Sequence, residues 1–572
     1  MKALSAQMLT PHTLRPLAAA MLLFLTSMPL PSHAADTTRV VTARQFGAIP
    51  DDGRDDTKAL RAAAEYCRRH PGTTLVIAPG TYRLRDAQAE RLESDVMAGK
   101  MGNDPEKKIF TPYYPYARGL DFDGAVSTHV MARGATLMCE GWMEPVSIVN
   151  TRDFTLEGLT IDYRRKPMTE GNIIAIGDDS FTVQFDSRRQ LTPSMPITRM
   201  SIWDDEASGV FPTAYYFPKP KFLGDNRLEF AYRVPRRLLG ARIAALHSFH
   251  FRPAIFINRS HNTVLEGVTI HAQPGMGIVG FDTEDVFIRR LAVTPADGFT
   301  FSTNTDATHF ASCRGTVSIE DSFFHAQGDD ATNVHGYYND IRKHDDGWVT
   351  LVLNAPTFTH AQMADVPAVG DTLELSHSST LVPVARYAVT EVRHEPQSPT
   401  VDVRLSGNLP SVTDGMYLFN ASKLPRLRFC RNTVWGQLAR GVLAKTRGVL
   451  IAENTFRGCT GTAIHVAAEA EWREGAHSRD VVIRDNMMMN CGLDGGQFGA
   501  SGIAVVINAP DTDGTLLHEH VTITGNTIQT RYNNSCGMAL RNIRGLHVSG
   551  NVVRGCREAM TLHSCEDVVT GQ

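Results

Sequence analysis

Short runs of alternating apolar and polar residues recur along the second half of the chain, and each run ends in an asparagine followed by another apolar pair. Period-two alternation is typical of short β-strands with one face in a core. The recurring asparagines are Asn432, Asn454, Asn486, Asn526 and Asn551, which lie 22, 32, 40 and 25 residues apart. The shorter separations match one coil of a solenoid, and the longer ones match a coil that carries an inserted loop.

The repeat favours a stacked β fold over a sandwich. A short strand cannot bury its inner face alone, so units of this kind must stack on one another. Asparagine tolerates the left-handed backbone of tight corners, and its amide can form a hydrogen-bonded ladder from coil to coil. A β-sandwich would not readily explain asparagine at the same phase in successive units. The pattern therefore predicts an all-β protein whose fold is a parallel β-helix.

Two stretches interrupt the repeat and are typical of antiparallel strands joined by turns. Each is long enough to form a β-barrel-like subdomain inserted between coils. The predicted organisation is a signal peptide at 1–34, an N-terminal cap with the first coils at 35–164, an inserted β subdomain at 165–245, coils with the candidate site at 246–339, a second inserted subdomain at 340–424 and C-terminal coils at 425–572.

The N-terminal region predicts a cap for the coil stack. A helix is expected at 58–69, N-capped by Asp55, Asp56 or Thr57, and a strand is expected at 74–77. We interpret the acidic cluster at 51–56 as a turn and a helix cap rather than a metal site. This opening resembles that of many right-handed β-helix glycosidases, in which a helix covers the open end of the stack.

Composition and charge indicate a folded, exported protein. The 572 residues are 42% hydrophobic and carry a net charge of -4, without the basic excess that is typical of nucleic-acid binders. Positive residues Lys2 and Arg15, an apolar run over 17–30 and a Ser-His-Ala site at 32–34 predict a secretory signal. The run is short for a membrane span, and no lipid-anchor cysteine follows it. We expect a periplasmic or secreted location and no membrane partner.

The nine cysteines do not indicate a disulfide scaffold, because their number is odd and several recur in phase with the repeat. We expect Cys430, Cys459, Cys491 and Cys556 to be buried thiols inside the coils. The chain contains no C-x-x-C motif, so a zinc or redox site is not indicated. No cofactor and no metal are expected.

Three aspartates carry the candidate chemistry. Asp306 precedes Asp329 and Asp330 by 23 and 24 residues, which is about one coil, and residues one coil apart lie on neighbouring strands about 4.8 Å apart. Aspartate pairs are usually solvated turn residues. Here the spacing predicts a patch of three carboxylates, whose mutual repulsion raises at least one pKa. A protonated carboxyl beside an ionised one is what acid–base cleavage of a glycosidic bond requires.

The motifs around these aspartates resemble those of known glycosidases. The Asn-Thr-Asp at 304–306 and the Gly-Asp-Asp at 328–330 resemble elements of inverting β-helix glycosidases that include polygalacturonases. The Gly-His-Gly and Arg-Ile-Lys motifs with which polygalacturonases bind uronates are missing, so a pectin-type acidic substrate is not expected. The Gln-Gly-Asp-Asp order, the His-Ala before it, the one-coil spacing and the two insertions are more similar to glycoside hydrolase family 110. The resemblance spans most of residues 40–570.

That resemblance implies a right-handed parallel β-helix and an inverting, exo-acting α-1,3-galactosidase, some relatives of which remove the blood group B galactose. If the roles of the family's matching aspartates apply here, Asp329 is the general acid, and Asp306 and Asp330 activate the attacking water. Acid and base are then expected to lie roughly 6.5–9.5 Å apart. Adjacent aspartates reach one site only if the backbone turns or bulges there. The candidate substrate-binding residues are Asn304, His325, His335 and Trp435.

Other functions are compatible with the same scaffold. They are a different β-helix hydrolase of the polygalacturonase type, a polysaccharide lyase with a uronate substrate, Ca²⁺ and a basic Arg or Lys, and a non-catalytic glycan-binding solenoid. The preference for linear or branched glycans, the acid and base assignment and the oligomeric state stay open at this point.

Overall fold

Three parallel ladders of short strands run through the structure, which confirms the predicted right-handed parallel β-helix. The computed structural model describes residues 39–111, 114–186, 191–345, 347–353, 365–396, 398–532 and 534–571. The predicted signal at 1–34 lies outside the described residues and stays a prediction. We name three ladders. Face 1 includes β7 (Glu144–Val149), β18 (Ile255–Asn258), β21 (Ile278–Phe281), β24 (Thr308–Ala311), β27 (Thr332–Asp345) and β35 (Val442–Ala444); face 2 includes β5 (Val126–Met131), β8 (Arg152–Glu157), β19 (His261–Glu266), β22 (Glu284–Arg289) and β25 (Arg314–Glu320); and face 3 begins with β3 (Gly80–Arg85), β6 (Ala135–Glu140) and β9 (Thr160–Tyr163).

The N-terminal part consists of a helical cap and the first coils. The predicted capping helix is present as α1, and Asp55 Oδ1 accepts the backbone N–H of Thr57 at its start (3.0 Å). Its elements are β1 (Arg39–Thr42), α1 (Thr57–Arg69), β2 (Thr73–Val76), β3 (Gly80–Arg85), α2 (Ala87–Met97), α3 (Glu106–Ile109), β4 (Arg118–Asp121), β5 (Val126–Met131), β6 (Ala135–Glu140), β7 (Glu144–Val149), β8 (Arg152–Glu157) and β9 (Thr160–Tyr163).

An antiparallel sheet with its own apolar core follows, where the sequence predicts the first insertion. Its first and last strands pair with each other, from Met168 opposite Leu246 to Asn172 opposite Arg242. The strands are β10 (Met168–Ile176), β11 (Phe181–Phe185), β12 (Arg199–Asp204), β13 (Gly209–Val210), β14 (Tyr215–Tyr216), β15 (Lys221–Gly224), β16 (Arg227–Phe230) and β17 (Arg242–Leu246).

The coils resume after β17 and carry the candidate site. Face 1 continues through β18, β21, β24 and β27, and β27 then leaves the coil to enter a second antiparallel sheet. The strands are β18 (Ile255–Asn258), β19 (His261–Glu266), β20 (Thr269–Ile270), β21 (Ile278–Phe281), β22 (Glu284–Arg289), β23 (Ala292–Val293), β24 (Thr308–Ala311), β25 (Arg314–Glu320), β26 (Phe323–His325) and β27 (Thr332–Asp345).

The second antiparallel sheet lies where the sequence predicts the second insertion, and it too has a separate core. The exact domain boundaries stay predictions. Beyond β27, its strands are β28 (Trp348–Val352), β29 (Thr372–His377), β30 (Pro383–Arg393), β31 (Thr400–Leu405) and β32 (Met416–Asn420).

The C-terminal coils complete the described chain, and a short hairpin formed by β38 and β39 folds back to pair β39 with β27. The strands are β33 (Arg426–Cys430), β34 (Thr433–Gln437), β35 (Val442–Ala444), β36 (Val449–Ala452), β37 (Thr455–Cys459), β38 (Ile464–Glu469), β39 (Glu474–Gly475), β40 (Arg479–Arg484), β41 (Met487–Met489), β42 (Ala500–Asn508), β43 (His518–Thr524), β44 (Thr527–Gln529), β45 (Cys536–Ser549), β46 (Val552–Arg554) and β47 (Glu558–Thr570).

The repeated asparagines form a ladder, as predicted. The side-chain oxygen of Asn454 accepts the backbone N–H of Asn432 (2.8 Å), and Asn486 does the same for Asn454 (3.0 Å). The expected left-handed backbone falls one residue earlier, as at Arg431 (φ 56°) and Glu453 (φ 60°). The turn and the ladder are therefore divided between two neighbouring positions, and the asparagine itself supplies the buried amide.

The interior between the faces is apolar. Phe324, Phe429 and Phe456 stack from coil to coil, with ring centroids 5.9 and 6.3 Å apart. The nine cysteines are free thiols. Cys430, Cys459 and Cys491 are buried as predicted, but Cys556 is half-buried because it lies in one of the last coils, where few strands cover it. Among the described residues, no helix is long and apolar enough to cross a membrane.

Candidate active site

Three carboxyl groups meet at the corner where face 3 turns into face 1. Asp306 lies in the connection between β23 and β24, and Asp329 and Asp330 lie in the next connection, between β26 and β27. One oxygen from each carboxyl lies within 4.8 Å of the others. Asp306 is 5% exposed and Asp330 is 1% exposed, whereas Asp329 is half-buried. A separation of one coil thus brings the three predicted acid–base residues together.

A tight turn allows two adjacent aspartates to reach the same place. Ala326 adopts a φ of 58°, and the residues from there to Ala331 belong to no strand. A Cβ atom at Gly328 would lie 2.1 Å from the carbonyl oxygen of Asn304 and 2.2 Å from the Arg199 guanidinium, so this position requires glycine. The turn fulfils the condition on which a joint role of Asp329 and Asp330 depends.

Arg440, one coil further on, binds the carboxylate of Asp330. Its backbone N–H donates to Oδ1 (2.7 Å), and its guanidinium Nη2 donates to Oδ2 (2.9 Å). Burial raises the pKa of Asp330 well above its usual value, and the Asp329 and Asp306 carboxylates raise it further, against the effect of the Arg440 cation. Arg440 therefore determines how readily Asp330 ionises and in which direction its oxygens point.

A chain of buried hydrogen bonds leads away from Asp306. Its Oδ2 lies 2.6 Å from His309 Nδ1, and His309 Nε2 lies 2.8 Å from His335 Nε2. His335 Nδ1 donates to the carbonyl of Gly336 (3.0 Å), so a neutral His335 can only accept at Nε2. A neutral His309 then donates through Nε2 to His335 and accepts at Nδ1. The proton in the hydrogen bond between Asp306 and His309 therefore belongs to the Asp306 carboxyl.

The charge states of these groups agree with that arrangement. Burial lowers the pKa of His309 to about 4 and that of His335 to about 4. Burial, together with the Asp329 carboxylate, raises the pKa of Asp306 well above its usual value. With both imidazoles neutral, the proton shared between Asp306 and His309 rests on the carboxyl. Asp306 therefore has a proton acceptor, His309 Nδ1, next to its Oδ2.

A second group of buried charges lies behind the histidines. Glu474 Oε1 lies 3.6 Å from His335 Nε2, and Lys445 Nζ contacts Glu474 and lies 2.5 Å from Glu469 Oε2. Burial alone would raise the pKa of Glu474, but His335, which is protonated at the low pH where Glu474 titrates, and the Lys445 cation outweigh it and lower that pKa to about 2. Because Glu474 lies on β39, these ion pairs attach the β38–β39 hairpin to face 1.

The first antiparallel sheet and the chain around it contribute groups on the opposite side. Arg199, on β12, donates to the carbonyl of Asn304 and is 2% exposed. His250, which follows β17, lies 3.0 Å from Glu106 Oε1. Burial opposes a charge on His250, but the Glu106 carboxylate raises its pKa, and the resulting positive charge faces Asp306 and Asp329. Side chains distant in sequence therefore meet beside the cluster.

Two of the predicted substrate-binding residues are buried beside the carboxyls. Asn304 is inaccessible to solvent, and its Nδ2 donates to the carbonyl of Ser248 (2.8 Å). His335 is likewise inaccessible and takes part in the hydrogen-bond chain described above. In these positions both support the aspartates, and a direct contact with substrate stays a prediction.

The other two candidates lie in an aromatic cluster against the first antiparallel sheet. His325 stacks on Trp435 with ring centroids 4.3 Å apart, and the edge of Trp203 contacts both. Trp435 Nε1 donates to the carbonyl of Ser208 (2.8 Å). The observed contacts of His325 and Trp435 are with the insertion rather than with the carboxyl cluster, so their role in substrate binding stays a prediction.

Several residues of the site were not predicted from the sequence, among them His309, Arg440, His250 and Glu474. His309 follows Asp306 by three residues and lies one coil before His335, which is a spacing signal that could have been used. Arg440 lies 110 residues after Asp330 because the second insertion separates their coils, and counting coils instead of residues would have found it. No sequence signal links His250 or Glu474 to the site, because their positions depend on chain that folds back over the coils.

One oxygen from each of the three aspartates is close enough to the others to hold a divalent cation. The same is true of a second group near the surface, which offers a ring nitrogen of His261 and carboxylate oxygens of Glu284 and Asp285. Divalent cations prefer carboxylate oxygens. In the aspartate cluster, however, Arg440 already binds both oxygens of Asp330 and supplies positive charge there. The expectation that the protein uses no metal stays a prediction.

Comparison with known proteins relates nearly the whole chain to one group of enzymes. No family model matches the chain. It is 25% identical over 547 residues to alpha-1,3-galactosidase A of Shewanella woodyi, covering 88% of this chain and 84% of the relative. It is 25% identical over 572 residues to alpha-1,3-galactosidase B of Parabacteroides distasonis, covering 91% and 89%. A solved family 28 exopolygalacturonase from Yersinia enterocolitica aligns at 13% identity, covering 93% of this chain and 79% of its own, with a TM-score of 0.41.

The relationship to the two galactosidases extends through the cap, both antiparallel sheets and the coils, because so large a share of each chain is aligned. Over most of its length the chain is thus homologous to proteins named alpha-1,3-galactosidase, which confirms the resemblance to glycoside hydrolase family 110.

Proposed function

We propose that this protein is an exo-acting α-1,3-galactosidase that hydrolyses terminal α-1,3-linked galactose with inversion. The observation that carries the proposal is the cluster of three aspartate carboxyls, with oxygens within 4.8 Å of one another, in a β-helix related to alpha-1,3-galactosidases. Hydrolysis of a glycosidic bond needs a carboxylic acid that protonates the leaving oxygen and a carboxylate that activates water. The cluster contains enough carboxyl groups for both roles.

Asp329 suits the general acid. It is the half-buried member of the three, whereas Asp306 and Asp330 are almost inaccessible. A leaving oxygen belongs to the part of the substrate that extends out of the site, so the more accessible carboxyl is the one that can reach it. In the reactive state a proton of the coupled cluster lies on Asp329. Asp329 donates this proton to the leaving oxygen, and the bond between the oxygen and the anomeric carbon breaks with its electron pair on the oxygen.

Asp306 and Asp330 suit a base that acts through water. A water molecule that donates hydrogen bonds of about 2.8 Å to two oxygens spans about 4.6 Å between them. The two carboxyls have oxygens within 4.8 Å of each other, so one water molecule can reach both. The water oxygen bonds to the anomeric carbon from the face opposite the leaving group, and its proton passes to whichever of the two carboxyls is ionised.

The hydrolytic activity should depend on pH, because it requires one protonated and one ionised carboxyl in the cluster. Carboxyls this close together titrate as a group, and burial raises the pKa values of Asp306 and Asp330. At low pH both candidate bases are protonated and water is not activated. At high pH the cluster loses its last proton, so that no acid remains for the leaving group. Activity therefore follows a bell-shaped curve, and His309 offers Asp306 a second position for its proton.

We expect exo action because Arg199, His250 and Glu106 stand beside the cluster on the side of the first antiparallel sheet. There they would meet a glycan chain that continued past the cleaved sugar. The cations next to the cluster already pair with carboxylates, Arg440 with Asp330 and His250 with Glu106. That pairing suits a neutral galactose better than a uronate.

A retaining glycosidase is the second candidate, because its two carboxyls are usually about 5–5.5 Å apart, against roughly 6.5–9.5 Å in inverting enzymes. The carboxyl oxygens here lie closer than the inverting range. We favour inversion because two buried carboxyls can share the attacking water. The anomer released first distinguishes the two mechanisms.

We also propose that the protein is exported to the periplasm or beyond through cleavage of residues 1–34. N-terminal sequencing of the protein from a periplasmic or culture fraction should begin at Ala35. Protein found only in the cytoplasm with Met1 intact would contradict export.

Galactose release tests the activity. The wild-type protein should release galactose from Gal-α1,3-Gal or from the branched blood group B trisaccharide, and each of Asp306→Asn, Asp329→Asn and Asp330→Asn should lower kcat by about 10²–10⁴-fold. Asp485→Asn is the matched control, because Asp485 is 54% exposed and pairs with Arg484 far from the site. The proposal would be contradicted if the wild-type protein released no galactose from either substrate, or if Asp329→Asn kept full activity.

A further inference from the structure

A cleft of about 660 Å³ lies directly beside the carboxyl cluster on the side of the later coils. Arg440, which binds Asp330 through Nη2 at 2.9 Å, is part of its wall. The cleft is within the size range of about 300–1,000 Å³ that is typical of small-molecule sites. It is therefore large enough for sugar units beyond the one that is cleaved off.

The wall of the cleft comes from three separate parts of the fold. The turn between β38 and β39 contributes Glu471, Trp472 and Arg473, the second antiparallel sheet contributes Tyr417, and β42 contributes Asn508. The hairpin brings these parts together, because β38 pairs with β42 with Glu469 opposite Asn508, and β39 folds back to pair with β27. The cleft is thus built by the same hairpin that carries Glu474 into the site.

The turn is held firmly in place. Arg473 Nη1 donates to the carbonyl of Ala470 (2.7 Å), and the Arg473 guanidinium lies over the ring of Tyr417, 4.5 Å from its centroid. The backbone N–H of Tyr338, on β27, donates to the carbonyl of Arg473 (2.8 Å). A fixed turn of this kind can present a side chain to a ligand without a large entropic cost.

Trp472, at the tip of this turn, keeps 43% of its surface exposed and lines the cleft. An indole combines a large apolar face with a polar edge, and a sugar ring likewise has an apolar C–H face and polar hydroxyls. Asn508 and Gln497 supply amide groups to the same wall. The combination of one exposed aromatic face with amides and charged groups is suited to a neutral saccharide.

The position of the cleft gives the substrate a direction. Arg199 and His250 stand beside the cluster on the side of the first antiparallel sheet, whereas Arg440 connects the cluster with the cleft on the side of the later coils. With the terminal sugar at the aspartates, the remainder of the glycan extends into the cleft. The cleft therefore lies where the sugar after the scissile bond would be bound.

We propose that this cleft is the subsite for the acceptor part of the glycan and that Trp472 stacks on the sugar ring that follows the cleaved galactose. The inference rests on the proposed galactosidase function and deepens it. The substrate is then an oligosaccharide that extends beyond the terminal disaccharide bond, and the β38–β39 turn determines which acceptors are accepted.

Two substrates that differ only in the acceptor test the proposal. A linear trisaccharide ending in Gal-α1,3-Gal fills the cleft, whereas α-galactosyl fluoride carries the same galactose with no acceptor sugar. Trp472→Ala should lower kcat/KM for the trisaccharide about 10- to 100-fold more than for the fluoride, which is the usual loss on truncation of a binding tryptophan. Trp472→Phe, which keeps an aromatic face, should recover most of the loss.

Tyr532→Ala is the matched control, because Tyr532 is an aromatic residue 36% exposed outside the cleft, and it should leave both rates unchanged. Equal losses of Trp472→Ala on the two substrates, or no loss on either, would overturn the subsite. A wild-type protein that hydrolyses neither substrate would instead remove the proposed function, and the subsite with it. Hydrolysis of the fluoride by the wild type therefore separates the two failures.

Discussion

Replacing Arg440 by methionine should move the acidic limb of the pH–rate profile. Arg440 holds Asp330 through two hydrogen bonds, of which the guanidinium contact at 2.9 Å carries the charge. Asp330 already has a raised pKa because it is buried among carboxylates. Without the cation, the carboxylate form loses its main stabilising partner, and Asp330 stays protonated to a higher pH.

The size of the shift can be worked from the charge pair. Two unit charges about 4 Å apart interact by about 4 kcal/mol at an effective dielectric constant near 20, and about 1.4 kcal/mol corresponds to one pKa unit. The backbone N–H of residue 440 still binds Oδ1 in the variant, so part of the stabilisation remains. We expect the acidic limb of kcat/KM to move upward by about 1–3 pH units, the usual range for loss of a nearby opposite charge.

The assay is the pH dependence of kcat/KM, which reports ionisations of the free enzyme, measured with α-galactosyl fluoride so that the acceptor cleft does not contribute. Arg431→Met is the control, because Arg431 pairs with Glu320 and Asp321 at the surface, and its profile should equal that of the wild type. A profile of Arg440→Met that is lowered equally at every pH, with its acidic limb unmoved, would refute the account of Asp330 as a base.

Three further predictions concern the site and the coil stack. Folding raises the pKa of Asp306, so the folded protein binds more protons than the unfolded chain, and stability falls as pH rises through the folded pKa. Asp306→Asn should therefore raise the melting temperature at pH 7 and raise it much less at pH 4. An equal change at both pH values would contradict the raised pKa. Gly328→Ala should abolish activity, since its Cβ would lie 2.1 Å from the Asn304 carbonyl oxygen, whereas wild-type activity in galactose release would show that the turn tolerates a side chain. Asn454→Ala should lower the free energy of unfolding in urea by about 1–3 kcal/mol, because the Asn432 backbone N–H and the Phe429 carbonyl lose their partner; an unchanged urea midpoint would show that the ladder adds no stability.

The architecture was largely predictable because the repeat is local. Alternating strands and asparagines at constant phase predict coils without any knowledge of long-range contacts, and the structure confirms both the parallel ladders and the asparagine ladder. The assignment of the left-handed backbone to asparagine was wrong by one residue, because an amide that extends the ladder must come from the position after the turn.

The site was predictable only where it depends on coil spacing. Asp306, Asp329 and Asp330 lie one coil apart, so counting residues was sufficient to bring them together. Arg440 and Glu474 escape such counting, because the second antiparallel sheet and the folded-back hairpin separate them from the cluster in sequence. His325 and Trp435 were selected because they lie close to Asp329 in sequence or about one coil away. The structure shows them packed against the first insertion, and their contact with a sugar stays a prediction.

The most direct test of the central claim is proton NMR of galactose released from Gal-α1,3-Gal and from the blood group B trisaccharide, recorded before mutarotation, with Asp329→Asn as control. The account predicts that β-galactose is released first and that the Asp329→Asn variant releases none at a comparable rate. Initial release of α-galactose would contradict the water shared by Asp306 and Asp330 and would make the close carboxyl spacing that of a retaining enzyme.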